Sequence, residues 1–367
     1  MTTKVMHVIA RMNVGGTAAY LHTLLSNQSN PAYEHLLVTG HVQGDEIEDP
    51  RTDELPTIRI EELGRKIDIR SDFAARRQIK AVIANYKPDI IITHTFKAGA
   101  IVRSLRLTIP VVHTFHGHLL SDPEFSGLAI RVIVGTEKLL ARRTTIMTTT
   151  GQTVRRELES AGIRHSYWKS IHPGILPPPT VKRVEAFQNL GIEQKSTDAL
   201  VVAWHSRFAP VKNVQLVFDI ARQLPQHQFL VSGGGPLFDT YRLQHPENVT
   251  LLGWQKAEDV LGASDILIST SFNEGLPLSL IEASMLGRPC VATNVGSVKE
   301  IVLDGKTGFL VEPNADSFIE KINFLHSNRD VLKDLSSAAA EFTRSRFQVE
   351  LFIKQYEQLI DEAINPL

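Results

Sequence analysis

Short apolar runs rich in Val, Ile and Leu alternate with segments of helical period along almost the entire chain, and this alternation excludes most folds. Runs at 4–10, 34–39, 89–93, 110–114, 144–150, 199–204, 229–232, 249–252, 265–269 and 288–292 read as strands. In most of them the apolar residues are consecutive rather than alternate, which means burial on both faces. That is the situation of a parallel sheet covered by crossover helices. Segments at 18–26, 72–86, 128–143, 151–160, 213–224, 314–326, 330–343 and 346–363 read as those helices. The expected fold class is α/β, with Rossmann-like, doubly wound domains. Residues 45–62 are acidic, contain Pro50 and Pro56 and have little period, so an exposed loop around a short strand is expected there.

At 367 residues the chain is too long for one ordinary core and suits two domains. The densest proline cluster, His172-Pro173-Gly174-Ile175-Leu176-Pro177-Pro178-Pro179, reads as a stiff linker. The expected division is 1–170, a linker at 171–180, and a second domain from 181. A net charge of −1 gives no global argument for nucleic acid. Residues 1–170 nonetheless carry 22 Lys/Arg against 17 Asp/Glu, and the remainder 17 against 23. A basic first half suits a phosphate-bearing acceptor or peripheral contact with an anionic membrane, and equally an ordinary solvated surface. Cys290, the single cysteine, lies in a strand-like run and reads as a buried structural thiol. No apolar run reaches the ~18–20 residues of a membrane span. The first residues enter a strand without a signal-peptide pattern, so a cytoplasmic protein is expected.

Chemistry concentrates at the carboxyl ends of expected strands. After Asp265–Ser269 comes Ser271-Phe272-Asn273-Glu274-Gly275-Leu276-Pro277-Leu278-Ser279-Leu280-Ile281-Glu282. Pro277 suits a first helical position, and Leu278, Ile281 and Met285 predict a helix over about 277–286. Backbone N–H groups at such a helix start, around Gly275 and Leu276, suit a diphosphate. Glu274 in the turn and Glu282 within the helix can address different parts of one elongated ligand, although a solvated helix face also explains Glu282. Val14-Gly15-Gly16-Thr17 is a turn that lets backbone approach a ligand. His113-Thr114-Phe115-His116-Gly117-His118 offers three histidines. With no Cys or acid nearby as a third ligand, polar recognition of sugar or phosphate is preferred there to zinc. Arg207 and Lys212 on one loop form a planar fork and a point charge suited to a diphosphate, or to solvent. Trp254 can stack on a base or fill the core, with the core slightly preferred.

The run from Phe272 to Glu282 resembles the E-x7-E signature of the family-four retaining glycosyltransferases, which have the GT-B fold. The resemblance extends over nearly the whole chain and is densest at 200–312. It implies two Rossmann-like domains facing a central cleft, with the terminal helix, 346–367, crossing back onto the first domain and the second ending at 345. It implies a sugar moved from a nucleotide-diphosphate sugar, a UDP-sugar being favoured, to a saccharide, lipid-linked or small-molecule acceptor, in bacterial surface glycan or lipid-linked saccharide assembly. No cofactor and no metal are expected. By the same resemblance Glu274 touches the donor sugar and Glu282 the ribose, while Arg207 and Lys212 hold the diphosphate. His116 matches the histidine that reaches sugar and diphosphate, and Gly15 and Gly16 the loop that abuts donor and acceptor. The turn of Trp254 matches one that packs on the base. Lys97 and His118 are candidates for the acceptor side, and His113 reads as a core residue. Two departures stand out: Ser206 replaces a usual Gly, and Gly234 replaces a usual Asp. A nucleotide-sugar epimerase or hydrolase of the same fold, or a noncatalytic sugar-nucleotide binding protein, are the rival readings.

Overall fold

In the computed structural model, which describes residues 2–44, 46–64, 68–117, 120 and 127–365, all ladders between strands are parallel. The chain divides into two units, Met1–Gly174 with Val349–Leu367, and Ile175–Gln348. The first runs β1 (Thr3–Ile9), α1 (Gly16–Ser26), β2 (Tyr33–Thr39), β3 (Thr57–Arg59), α2 (Ile69–Tyr86), β4 (Ile90–His94), α3 (Phe96–Arg103), β5 (Val111–Phe115), α4 (Gly127–Ala141), β6 (Ile146–Thr149), α5 (Gln152–Ser160) and β7 (Trp168–Ser170). Its strands lie in the order β3-β2-β1-β4-β5-β6-β7. Val5, Ile9, Ile90 and Ile92 enter one core layer, and Met6, Val8, Ile91 and Val111 enter another. Two layers per strand explain the consecutive apolar residues of the sequence.

The second unit runs α6 (Arg183–Asn189), β8 (Val201–His205), α7 (Val214–Gln223), β9 (Gln228–Ser232), α8 (Phe238–Arg242), β10 (Val249–Gly253), α9 (Ala257–Ala263), β11 (Ile266–Ser269), α10 (Leu278–Met285), β12 (Cys290–Thr293), β13 (Gly308–Val311), α11 (Ala315–Ser327) and α12 (Arg329–Arg346). The strand order β10-β9-β8-β11-β12-β13 again builds outward in both directions from its first strand. Val201, Ala203, Leu230 and Leu267 face one layer and Val202, Trp204, Phe229 and Ile268 the other. A last helix, α13 (Val349–Ile364), belongs to the first unit. There Phe352, Tyr356, Leu359 and Ile360 are buried with Val5, Leu21 and Ile90. Each such side chain contributes about 1.5–3 kcal/mol of burial.

The structure departs from sequence expectation at several elements. In residues 46–62 the expected short strand is β3, but the loop before it is ordered by a 3-10 turn at Pro50–Glu54, and Leu55 and Ile60 enter the two core layers. Asp49 caps that turn and pairs with Arg51, so the acids there serve local structure. Helix α2 begins at Ile69 because the Asp68 carboxylate accepts from the Ser71 N–H, three residues before the apolar period starts. The short elements β7, β13, α6, α8 and α9 lack enough residues to display a period. Cys290 is fully buried on β12, and burial pushes its thiol up to about 12, as a structural thiol requires.

Candidate active site

Both strand orders place a topological switch point beside the first strand of the unit, between β1 and β4 and between β8 and β11. Loops leaving the carboxyl ends of such neighbouring strands run in opposite directions and open a crevice. In the second unit those loops carry Arg207 and Lys212, after β8, and Glu274, after β11. Thr270 Oγ1 lies 3.0 Å from both Lys212 O and Asn213 O, and the Phe272 N–H donates to Val211 O at 2.8 Å, which ties the loops together. The side chains then meet: Lys212 Nζ donates to Glu274 Oε1 at 2.6 Å and Ser271 Oγ donates to the same oxygen at 2.6 Å. Glu274 is 8% exposed, so its carboxylate depends on these donors. Both act on Oε1, leaving Oε2 for a ligand hydroxyl. The sequence placed Lys212 on a diphosphate or in solvent, with no sign of a protein partner; in the structure it is paired with a buried acid.

Helix α10 starts one residue later than expected. Pro277 is its N-cap, with an extended ψ of 116°, and no side chain caps the first turn. No side chain therefore occupies the first-turn N–H groups, of which that of Leu280 turns back to Pro277 O at 3.2 Å. Leu276 sends its side chain into the core, so its share in any site is through backbone. Glu282 sits on this helix and is half-buried. After β9, a Cβ at Gly234 would stand 2.4 Å from Trp254 Nε1, so the indole occupies the space of a side chain there. That accounts for Gly234 in place of the Asp that the resemblance implied: glycine and Trp254 are a matched pair. Trp254 itself is 47% exposed and does not fill the core, contrary to the preferred expectation. The stem of Arg207 packs beside Gly235, where a Cβ would come 3.0 Å from Arg207 Cγ.

In the first unit the loop after β1 holds Gly15 at φ 154°, a conformation that side-chain-bearing residues rarely adopt, and a Cβ there would meet nothing nearer than Asn13 O at 3.9 Å. The turn is strained for any other residue and open in front. Gly16 begins α1. His116 follows β5 and ends a run of four histidines that no sequence spacing joins. His35 Nδ1 lies 3.0 Å from His7 Nε2, His7 Nδ1 3.2 Å from His94 Nε2, and His94 Nδ1 3.0 Å from His116 Nε2. Tyr20 meets the His116 ring edge-on at 4.7 Å and bonds through its hydroxyl to Tyr356 at 2.9 Å.

Burial lowers all four rings, His35 to about 4 and His116 to about 3, with His7 and His94 also well below the usual value. A neutral imidazole has one donor and one acceptor, so three N–H···N bonds must all run in the same sense. His35 Nε2 is buried without a partner. A bare nitrogen is the less costly occupant of that position, because orphaned buried N–H groups are the rarer defect. The network thus assigns donors at His35, His7 and His94 Nδ1, and leaves His116 a proton on Nδ1 to offer a ligand oxygen.

Neutral burial also sets a pH dependence. The unfolded chain protonates these rings from about pH 6.5 downward while the folded one does not, so stability falls as pH drops. Urea unfolding of the intact protein should show this loss between pH 7 and about 4.5, at up to ~1.4 kcal/mol per pH unit for each ring. His35→Gln should reduce the slope. A flat profile would mean that the rings are not buried neutral.

His113, as expected, is a core residue: it is fully buried and bonds through Nδ1 to Thr93 Oγ1 at 2.8 Å. Lys97 has a protein partner: its ammonium lies 2.8 Å from Asp72 Oδ1 and is nearly buried, which ties α3 to α2. His118 lies outside the described residues. Among those residues no group of three or more His, Cys, Asp or Glu could hold a metal, and no helix is long and apolar enough to cross a membrane.

Residues 185–342 match the family model described as glycosyl transferases group 1, and residues 14–176 match that of glycosyltransferase family 4. The UDP-Gal:alpha-D-GlcNAc-diphosphoundecaprenol alpha-1,3-galactosyltransferase of Escherichia coli is 26% identical over 286 residues, 71% of this chain and 72% of that one. The N-acetyl-alpha-D-glucosaminyl L-malate synthase of Bacillus anthracis is 30% identical over 173 residues, 43% of this chain and 44% of its own. Among solved structures, sucrose-phosphate synthase from Thermosynechococcus elongatus superposes with a TM-score of 0.84 at 20% identity, covering 98% of each chain. Anabaena Alr3699/HepE in complex with UDP and glucose does so at 0.80 and 21% identity, covering 98% of this chain and 100% of that one.

Proposed function

The chain belongs to the group 1 glycosyltransferases with the GT-B fold, and on that premise we propose that it transfers a sugar from a nucleotide-diphosphate sugar to an acceptor hydroxyl with retention and without a divalent metal. The observation that carries this reading is the Lys212–Glu274–Ser271 cluster at the second unit's switch point. It holds a buried carboxylate for sugar hydroxyls and an ammonium with further donors for phosphate oxygens. As the anomeric C–O bond breaks, negative charge grows on the diphosphate. Arg207, Lys212, the backbone at Gly275 and Leu276 and the start of α10 stabilise that charge. The acceptor oxygen forms its bond on the face the diphosphate leaves, and a diphosphate oxygen takes the hydroxyl proton. No nucleophilic carboxylate is required. Glu282 accepts from the ribose, and Trp254 flanks the base. In the first unit, the His116 Nδ1–H and the backbone of the Gly15–Gly16 turn are offered to substrate. A UDP-sugar is favoured, because the E. coli relative carries UDP-Gal in its name and HepE was solved with UDP-glucose. That relative's name supports a lipid-linked saccharide as acceptor, in surface glycan assembly.

The test is a panel of uridine, guanosine, adenosine and thymidine diphosphate sugars with saccharide and lipid-linked acceptors, the product's anomeric configuration being read by NMR. Sugar joined to an acceptor with retained configuration is expected. Hydrolysis or epimerisation with no acceptor product, or inversion, would sink the reading. Activity should also survive excess chelator, since fixed cations serve the leaving group. Loss of activity restored by manganese or magnesium would overturn the metal-independent part.

A further inference from the structure

Helix α4 turns Ile133, Glu137, Leu140 and Ala141 inward, so its opposite face should be polar. It is not. Leu128 is 72% exposed, Val132 61% and Leu139 58%. At about 100° per residue these three positions, with Gly135 between them, fall on one narrow stripe along the helix. Arg131, Lys138 and Arg142, all exposed, flank that stripe on one side, and Arg143 follows the last turn. The helix's one acid, Glu137, is fully buried and takes a bidentate bond from Arg103 at 2.9 and 2.7 Å, so it offsets none of this outward charge. Where α4 ends, Arg106, Arg142 and Arg143 converge on a cavity of about 300 Å³ floored by Val102, Leu107 and Val111. Exposed apolar side chains usually scatter singly; a stripe beside a basic margin is a surface built for a partner.

We propose that α4 docks on an anionic phospholipid bilayer. It lies in the plane of the interface with Leu128, Val132 and Leu139 in the headgroup–acyl boundary. Arg131 and Lys138 sit against anionic headgroups, and the cavity of Arg106, Arg142 and Arg143 receives one headgroup phosphate. Charge complementarity selects this occupant. A second copy of the chain, joined through the same face, would bring Arg131, Lys138 and Arg142 against their own equivalents. A bilayer surface answers the apolar stripe and the basic margin together. Three apolar side chains give shallow insertion only, so binding depends on both signals and weakens with salt.

Co-sedimentation with vesicles of phosphatidylglycerol in phosphatidylcholine tests the proposal on the full chain. Binding is expected to the mixed vesicles and not to pure phosphatidylcholine, and to decline as sodium chloride is raised. Arg142→Glu with Arg143→Glu should weaken it by at least about fivefold per charge removed, and Val132→Ser with Leu139→Ser should abolish it at the same salt. All four positions are exposed, so thermal unfolding midpoints should match the parent chain. Equal binding to both vesicle types, or undiminished binding by both double variants, would overturn the proposal. So would saturable binding of glycerol phosphate without vesicle binding, which would reduce the cavity to a free-anion pocket. A dimer in sedimentation velocity that Leu139→Ser dissolves would assign the face to a second copy and overturn it as well.

Discussion

Lys212→Ala should lower kcat by about 100-fold or more and also destabilise the fold, a combination that an ordinary loop lysine would not produce. The rate term comes from lost stabilisation of the diphosphate as it leaves; removing one such preorganised donor costs about 2.7–4 kcal/mol. The stability term comes from the carboxylate left behind. Glu274 is buried, and its Oε1 would keep only the Ser271 hydroxyl. Removing one partner of a buried ion pair costs roughly 3–5 kcal/mol. Lys212 is itself partly exposed, which argues for the lower part of that range. The two terms separate in a cycle. Glu274→Gln added to Lys212→Ala should recover most of the lost stability, since a neutral amide no longer needs the ammonium, while kcat stays low. Arg207→Ala should depress kcat to a similar degree. A parent-like rate in Lys212→Ala would remove it from the reaction and leave the pair as a structural contact.

The second large effect distinguishes the two glutamates. The ribose does not change during transfer, so a residue that binds it stabilises ground state and transition state alike. Glu282→Ala should therefore raise the donor KM with a smaller change in kcat. The sugar ring flattens and gains positive charge as its bond breaks, so a carboxylate beside it is worth more in the transition state. Glu274→Gln should depress kcat strongly, again on the order of 100-fold. The nucleoside diphosphate without its sugar is the control. Calorimetry should show its binding weakened by Glu282→Ala and nearly intact in Glu274→Gln. The reverse pattern would exchange the two roles without touching the fold.

Local pattern revealed a good deal of this molecule. The consecutive apolar residues of 89–93 and 199–204 already implied strands covered on both sides, and β4 and β8 are central strands of the two sheets. Val349, Phe352, Tyr356 and Ile360 announced a helix, and α13 buries those residues. Helical and strand periods are properties of neighbouring residues, so they survive in a one-dimensional reading. Candidate site positions were legible for a related reason: parallel strands end in loops on one edge, and chemistry-bearing residues just after a strand must lie there.

Pairing across the sheet was not legible. Lys212 and Glu274 are separated by 62 positions and His7 and His94 by 87. Nothing in the composition around His7 or His35 marks them as ring partners, since a lone histidine in an apolar strand reads as an isolated core residue. The strand order brings them together: β1 lies between β2 and β4, and His35, His7 and His94 share one face of that sheet. The same holds for Trp254, whose place depends on Gly234 after the neighbouring strand, and for Lys97, whose partner is in α2. A chain specifies its elements through contacts a few residues apart, but a titratable side chain takes its state from groups that only the assembled sheet makes its neighbours. For that reason the sequence identified the kind of site, and the fold decided which side chains hold protons, pair or face solvent.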